Sequence, residues 1–255
     1  MALLLVFQYK VKKQMYRKDF MTAIWTRAAR ALALSLGFSA ICGAANAQSG
    51  PVVVELYTSQ GCSSCPPADA LLDQLAQRRD IIALGLHVDY WDYIGWKDVF
   101  GDPAFTERQR NYSRAAGTTV VYTPQMVIGG VEHVVGNKPA DVERAIKKAM
   151  GVVSPVTLSV VKNGPLFVIE AQSKQRADMV VQLVRFVPNQ SVKIRGGENN
   201  GREVSYSNIV TDWRVLKKWN GATPFSAKVD PKGAHHVIII QRAGHGPILA
   251  AARLD

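Results

Sequence analysis

Cysteine is scarce in this 255-residue sequence, which contains only Cys42, Cys62 and Cys65. A structural zinc site needs four ligands, commonly supplied by two close cysteine pairs, and this sequence has a single close pair. Its five histidines do not replace the missing pair, because no two of them have the spacing typical of zinc-binding histidines. The scarcity of cysteine therefore argues against a structural zinc protein, and no metal site is predicted.

Other absences narrow the class of protein. The chain has no internal repeat, no low-complexity segment and no heptad run. Its net charge of +11 is unevenly placed, since residues 1–47 contain seven Lys or Arg and one acid, and the rest of the chain contains 24 basic and 19 acidic residues. The net charge of +5 on residues 48–255 is too small to indicate a nucleic-acid partner.

Residues 1–47 have the organisation of a secretory leader. Two arginines precede an uncharged stretch at 31–41, and Ala45-Asn46-Ala47 supplies a small-x-small cleavage site. The apolar core is too short for a bilayer-spanning helix, which needs ~20 residues, so no stable membrane span is expected after leader removal. The sequence predicts an exported protein, periplasmic or secreted, whose mature chain begins at Gln48.

Met21 is the more natural start of this leader, so residues 1–20 are interpreted as a misassigned start. Cys42 lies inside the leader and is removed with it. Only Cys62 and Cys65 then remain in the mature chain, in an oxidising compartment where disulfides persist.

The remaining cysteine pair lies between a strand pattern and a helix pattern. Residues 52–57 are apolar or β-branched apart from Glu55, which is typical of a strand buried on both faces. After a turn at 59–61, apolar residues recur at helical spacing with polar residues between them: Ala68, Leu71, Leu72 and Leu75 against Asp69, Asp73, Gln74 and Gln77. The pattern predicts an amphipathic helix with both cysteines at its first turn.

A helix start stabilises a cysteine thiolate. Free backbone N–H groups and the positive end of the helix dipole favour the anion, and they lower a thiol pKa from ~8.5 to roughly 3.5–7.5. Cys62 is expected to experience this most. Two other interpretations of the pair stay open: a passive disulfide in an envelope protein-binding module, and a thiol carrier of a soft metal such as Cu(I).

A second strand and an insertion follow. Residues 81–88 are a second apolar run, which with the first strand and the helix makes a βαβ unit. Residues 89–96 are dense in aromatics and acids and precede a weakly helical stretch at 98–117. This region is interpreted either as a substrate-facing insertion or as a loop whose aromatics pack onto the domain.

The first half of the chain ends with a hairpin and a helix. Residues 119–136 contain a short strand, the Thr123-Pro124 step, a second strand, a Gly129-Gly130 turn and a third strand. Residues 138–150 place apolar side chains on one helical face. The predicted order is β-α-β-insertion-β-β-α.

The second half changes to a β pattern. Strand-like runs occur at residues 156–161, 166–172, 179–187, 192–195, 204–210, 236–241 and 248–254. Gly196-Gly197-Glu198-Asn199-Asn200-Gly201 is interpreted as a tight turn, because the features of a phosphate-binding loop are missing. The sequence predicts two domains, an α/β domain at 48–151 and a small mostly-β, sandwich-like domain at 152–255.

The first half resembles the thioredoxin superfamily, and more narrowly a secreted thioredoxin-like family catalogued only as a domain of unknown function. The resemblance covers about residues 52–150. It rests on three motifs: the Cys62-Ser63-Ser64-Cys65 pair between strand and helix, Val88-Asp89-Tyr90-Trp91-Asp92, and Thr123-Pro124-Gln125-Met126-Val127-Ile128-Gly129-Gly130, which is similar to the proline loop and hairpin of glutaredoxins. It implies an α/β, thioredoxin-like domain with a helical and aromatic insertion.

The resemblance also implies roles for individual residues. Cys62 is the attacking thiol, Cys65 the resolving thiol, and Pro124 a cis proline that faces them. Glu55 lies near the position of the buried acid of thioredoxins, one residue farther from the cysteines, and is expected to move protons to and from Cys65. The residues expected to bind substrate are Thr123, Tyr122 and Trp91.

These patterns together predict an exported thiol-disulfide oxidoreductase that works through its Cys-Ser-Ser-Cys pair and needs no cofactor. Its expected partners are protein thiols and disulfides of the envelope. The Ser-Ser dipeptide between the cysteines departs from the usual Gly-Pro or Pro-His of the superfamily.

Overall fold

A large mixed β-sheet forms the centre of the fold, in a computed structural model that describes residues 50–233 and 235–254. Eight strands make this sheet, three more make a small antiparallel sheet, and the described residues contain three α-helices. The predicted leader at residues 1–47 lies outside the described residues. No helix in the described part of the chain is long and apolar enough to cross a membrane.

The first half of the chain has three helices and four strands. In chain order they are β1 (Val52–Thr58), α1 (Pro66–Ala76), β2 (Ile81–His87), α2 (Pro103–Ala115), β3 (Gln125–Ile128), β4 (Glu132–Val135) and α3 (Pro139–Met150), with a short 3-10 helix at Asp92–Ile94 before α2. Strands β1 and β2 are parallel and flank α1 in sequence, so the predicted βαβ unit is confirmed.

One strand predicted in this half is absent. Residues 120–122 are not in a strand, and side chains of α2 bond two of their carbonyl groups. The Ser113 hydroxyl donates to the Val120 carbonyl, and the Gln109 amide donates to the Tyr122 carbonyl. The segment is therefore held as a connection across the end of α2.

The second half is all β. Its strands are β5 (Val156–Asn163), β6 (Leu166–Ser173), β7 (Met179–Lys193), β8 (Glu203–Trp219), β9 (Phe225–Val229), β10 (His235–Arg242) and β11 (Ile248–Leu254). The two runs predicted at 179–187 and 192–195 are one strand, β8 extends nine residues beyond its predicted end, and β9 is an additional strand. Strands β7 and β8 pair along most of their length. Their exposed polar residues have no apolar pattern that predicts a strand, and the backbone hydrogen bonds between the two strands hold them in the sheet.

The strand order of the large sheet is β11-β10-β7-β8-β2-β1-β3-β4. Strand β8 joins β2 in parallel where Gly85 faces Ile209, so strands from both sides of residue 151 share this sheet. A side chain at Gly85 would come within 3.1 Å of the Ser207 carbonyl, which explains the glycine at this close approach. The small sheet has the order β5-β6-β9.

The two faces of β1 pack against different helices. Leu56 and its same-face neighbours contact Ala68 and Leu72 of α1 and the apolar side of α3. Tyr57 lies on the other face, with Phe105 and Tyr112 of α2. A third apolar cluster lies between the small sheet and the outer strands of the large one. Side chains at odd and even positions of β1 therefore face separate environments.

Candidate functional site

Cys62 and Cys65 form a disulfide at the start of α1. The turn that carries them is closed by backbone hydrogen bonds from Cys62 to the Ser59 carbonyl and from Cys65 to the Cys62 carbonyl. Cys62 is 2% exposed and Cys65 is fully buried, whereas Ser63 and Ser64 face solvent. The structure thus places the two serines at the surface and keeps both cysteines buried.

The first turn of α1 has fewer free donors than a typical helix start. Pro66 and Pro67 have no backbone N–H, and the amides of Ala68 and Asp69 both donate to the Cys65 carbonyl. Any stabilisation of a Cys62 thiolate from α1 therefore comes from the helix dipole rather than from free amides of residues 66–69.

The turn at residues 196–201 packs on the cysteine loop, although it lies more than 130 residues farther along the chain. The Asn199 amide donates 2.9 Å hydrogen bonds to the carbonyls of Gln60 and Cys62. The Glu198 carboxylate accepts a hydrogen bond from the Ser63 amide, with 3.3 Å between oxygen and nitrogen. The turn itself was predicted, and these hydrogen bonds hold it against the cysteine loop.

The aromatic insertion packs on the same loop from another direction. The Trp96 indole donates to the Gln60 side-chain oxygen at 2.8 Å, and Trp91 lies so close to Gly61 that a side chain there would come within 3.1 Å of it. Tyr93 stacks on Trp91 with ring centroids 6.4 Å apart and is 80% exposed. The insertion therefore both packs onto the domain and presents one aromatic ring to solvent beside the cysteine loop.

The Thr123–Pro124 segment lies on the same side of the molecule. Its peptide bond is cis, and the Thr123 hydroxyl accepts a 2.7 Å hydrogen bond from the Trp91 indole. A side chain at Gly136 would contact both Pro124 and Ala68, which places Pro124 beside the first turn of α1. Trp91 and Thr123, two of the residues predicted to bind substrate, are thus in contact with each other, while Tyr122 is half-buried and its carbonyl is bonded to α2.

Glu55 lies on the opposite face of β1 from α1. Its fully buried carboxylate accepts two 2.8 Å hydrogen bonds from the Arg108 guanidinium and one each from the hydroxyls of Tyr57 and Tyr112. Four donors satisfy this carboxylate, and burial raises the pKa of Tyr57 and of Tyr112 well above the usual range, so both keep their protons. The structure does not place Glu55 with the cysteines.

Asp69 is a second buried acid, and it lies on the α1 face. The polar–apolar pattern predicted it on the solvent side of the helix, but it is only 3% exposed. Its Oδ1 accepts a 2.8 Å hydrogen bond from the Thr58 hydroxyl of β1, and its Oδ2 has no partner. Helix α1 therefore faces the sheet with a side that includes Asp69, and the Asp69 carboxyl contacts the end of β1 at Thr58.

A buried histidine–aspartate pair lies near Asp69. The His87 ring nitrogen Nδ1 is 2.8 Å from Asp98 Oδ2, and the Gln60 amide donates to the same oxygen. Burial opposes ionisation of Asp98, but hydrogen bonds from His87 and from backbone amides outweigh it and lower the pKa of this carboxyl. The pair thereby holds an anion under the turn that precedes Cys62.

Sequence reasoning missed Asp69, Asn199 and the His87–Asp98 pair. Only Asp69 had a local signal, since it lies four residues after Cys65 and therefore on the same helical face. Among residues 50–233 and 235–254, no group of three or more His, Cys, Asp or Glu side chains is arranged to hold a metal ion.

The family of the chain follows from comparison with known sequences. A family model described as a protein of unknown function (DUF1223) matches residues 53–241, which span β1, the cysteine pair, the proline loop and the strands up to β10. The chain belongs to this family. Among curated proteins, no sequence matches it.

Solved structures share the fold of this DUF1223 protein. A crystal structure of a protein from Agrobacterium tumefaciens is 32% identical, with a TM-score of 0.70 over 81% of this chain and 94% of that one. HBP35 of Porphyromonas gingivalis has a TM-score of 0.54 at 13% identity, over 80% of this chain and 74% of that one. The second similarity concerns the fold alone.

Proposed function

We propose that this DUF1223 protein is an exported thiol-disulfide oxidoreductase with a thioredoxin-like core. The core comprises the β2-β1-β3-β4 part of the large sheet, with α1 and α3 on one face and α2 on the other. The observation that carries the proposal is the grouping of Cys62 and Cys65 at the start of α1 with Pro124 beside the same helical turn. Residues from distant parts of the chain thus converge on one dithiol.

The exchange needs only the two cysteines and a partner disulfide. The Cys62 thiolate attacks one partner sulfur, which forms a mixed disulfide and releases the other partner sulfur as a thiolate. Cys65 then loses its proton and attacks Cys62, so the Cys62–Cys65 bond forms and the partner leaves fully reduced. The reverse sequence oxidises a partner dithiol. The proposed partners are proteins of the envelope, to which the leader at residues 1–47 would export this protein.

Burial of Cys62 is the observation that favours the alternative, a binding module with a passive disulfide. Cys62 is 2% exposed, so a partner reaches its sulfur only when the packing around the cysteine loop opens. The oxidoreductase proposal therefore requires the cysteine loop to open during exchange, against contacts that include the two Asn199 hydrogen bonds, whereas a passive brace requires no opening.

Trapping of mixed disulfides distinguishes the two. Cells that export a Cys65→Ser variant should accumulate covalent complexes through Cys62, because the resolving thiol is missing, and reducing agent should release them. The matched controls are Cys62→Ser and the double variant, in which no complex should form. Absence of complexes with Cys65→Ser, from protein shown to be exported and folded, would favour the passive disulfide.

A further inference from the structure

Asp69, the buried acid of α1, lies one helical turn from Cys65, the proposed resolving cysteine. Asp69 follows Cys65 by four residues, and its amide donates to the Cys65 carbonyl, so the two lie on one face of the helix in successive turns. Helical side chains tilt toward the N-terminus, which brings the Asp69 carboxyl back toward the turn that contains Cys65. Both residues are buried, Cys65 fully and Asp69 at 3% exposure.

The Asp69 carboxyl is only half satisfied. The Thr58 hydroxyl bonds Oδ1, and the orphaned Oδ2 is a buried oxygen that can accept or carry a proton. An unpartnered buried oxygen costs more when it is charged, which favours the protonated acid. Asp69 is therefore built to change its protonation state, unlike a carboxylate fixed by an ion pair.

Charged groups around Asp69 act in both directions. Burial raises the pKa of Asp69 from 3.8 to about 7 and the Asp98 carboxylate adds to the rise, while His87 and the Thr58 hydrogen bond work against it. Tyr206 of β8 faces the same space, and burial together with the two carboxylates raises the pKa of its hydroxyl, so this group stays neutral. Of these neighbours, Asp69 is the carboxyl whose titration falls near neutral pH.

Glu55, the acid that the sequence suggested for this role, has neither the position beside Cys65 nor an unpartnered carboxyl oxygen. It lies on the other face of β1, and its oxygens are bonded to Arg108, Tyr57 and Tyr112. Protonation of this carboxylate would leave the Arg108 charge buried without its partner.

We propose that Asp69 is the proton acceptor and donor for Cys65, an inference that rests on the proposed oxidoreductase function. When the mixed disulfide at Cys62 resolves, the Asp69 carboxylate takes the Cys65 proton, the Cys65 thiolate attacks Cys62, and the partner leaves as a thiolate. When a partner thiolate instead attacks Cys62 of the oxidised protein, Cys65 leaves as a thiolate and protonated Asp69 returns the proton. No proton or electron is left unassigned, since the partner supplies the disulfide or the dithiol.

A two-phase reaction separates this role from the function itself. Reduced protein is mixed with one equivalent of an aromatic disulfide whose released thiolate absorbs visible light. The first release reports the attack by Cys62, and the second reports resolution by Cys65. Asp69→Asn retains an acceptor for Thr58, and Asp73→Asn, an exposed position one turn farther along α1, is the matched control.

The expected result is confined to the second phase. In the wild type its rate should rise with pH through an inflection near 7, and in Asp69→Asn it should fall by about 10- to 100-fold and lose that inflection, within reach of general acid–base catalysis. The first phase of Asp69→Asn, and both phases of Asp73→Asn, should match the wild type. Thr58→Val removes a hydrogen bond that lowers the Asp69 pKa, so it should move the inflection to higher pH.

The outcomes that overturn the inference differ from those that overturn the function. A second phase in Asp69→Asn with the wild-type rate and inflection, after a normal first phase, would refute the role of Asp69 alone. A wild-type first phase no faster than that of an unstructured cysteine peptide would refute the oxidoreductase function. Should Asp69→Asn fail to fold, an unmoved inflection in Thr58→Val would refute the Asp69 role.

Discussion

Replacement of Glu55 by Gln should cost stability without changing the pH dependence of disulfide exchange. Glu55 is fully buried and holds Arg108, which is 7% exposed, through two 2.8 Å hydrogen bonds. Glutamine has nearly the same shape but no charge, and its amide hydrogens would face the donors of Arg108 and the two tyrosines. The substitution therefore leaves a buried guanidinium without a counter-charge.

The magnitude follows from the cost of breaking a buried ion pair. Removal of one partner of such a pair typically costs about 3–5 kcal/mol, because the remaining charge is buried and uncompensated. A domain stays folded after such a loss if its own stability lies in the middle or upper part of the typical range of about 5–15 kcal/mol. The double variant Glu55→Met with Arg108→Met should recover much of the stability, since no unpaired charge then remains.

Urea unfolding followed by tryptophan fluorescence measures this loss. The matched control is Glu170→Gln at an exposed position of β6, which should change the free energy of unfolding by less than about 0.5 kcal/mol. A cost of less than about 1 kcal/mol for Glu55→Gln would refute the structural role of the ion pair. Loss of the inflection near pH 7 in Glu55→Gln, with Asp69→Asn unaffected, would return the proton-transfer role to Glu55.

Three further predictions concern Asp69, Asn199 and the leader. Because the pKa of Asp69 is raised to about 7 in the folded protein, the folded state binds its proton more tightly than the unfolded chain does. The free energy of unfolding of the wild type should therefore fall as the pH rises from about 4 to 7, by at most ~4 kcal/mol, and urea unfolding of Asp69→Asn should lack that fall. An equal pH dependence in both proteins would contradict the buried titration. Asn199→Ala removes two hydrogen bonds that cover the cysteine loop, so the Cys62–Cys65 disulfide should be reduced faster by a small phosphine, and an unchanged reduction rate would show that this turn is no barrier. Exported protein should begin at Gln48 or within a few residues of it, as N-terminal sequencing would show, whereas an intact Met1 or Met21 end would contradict the leader.

Local patterns in the sequence predicted the elements that local forces determine. The β-branched run of β1, the apolar spacing of α1 and the turn residues of the β3–β4 hairpin each specify their own conformation. The cysteine pair was found in the same way, since its position between a strand and a helix is a matter of chain order. The mixed α/β architecture of the first half follows from these elements.

The remaining features depend on tertiary contacts. Asp69 was predicted on the solvent side because four neighbouring apolar residues define the helix face, yet the Thr58 hydroxyl of β1 makes its burial possible. Asn199 reaches the Cys62 carbonyl from another part of the sheet, and no local pattern encodes that meeting. Similarly, the exposed polar residues of β8 are strand only because β7 pairs with them.

The rate of disulfide exchange at Cys62 tests the central claim most directly. Reduced protein should react with a peptide disulfide at pH 7 about 3-fold faster than an unstructured cysteine peptide, because the fuller ionisation of a thiol whose pKa is lowered from ~8.5 outweighs the lower nucleophilicity of its thiolate. Cys62→Ser should abolish the reaction, and Cys65→Ser should stop it at the mixed disulfide. A wild-type rate equal to that of the unstructured peptide, or activity that survives in Cys62→Ser, would contradict the account.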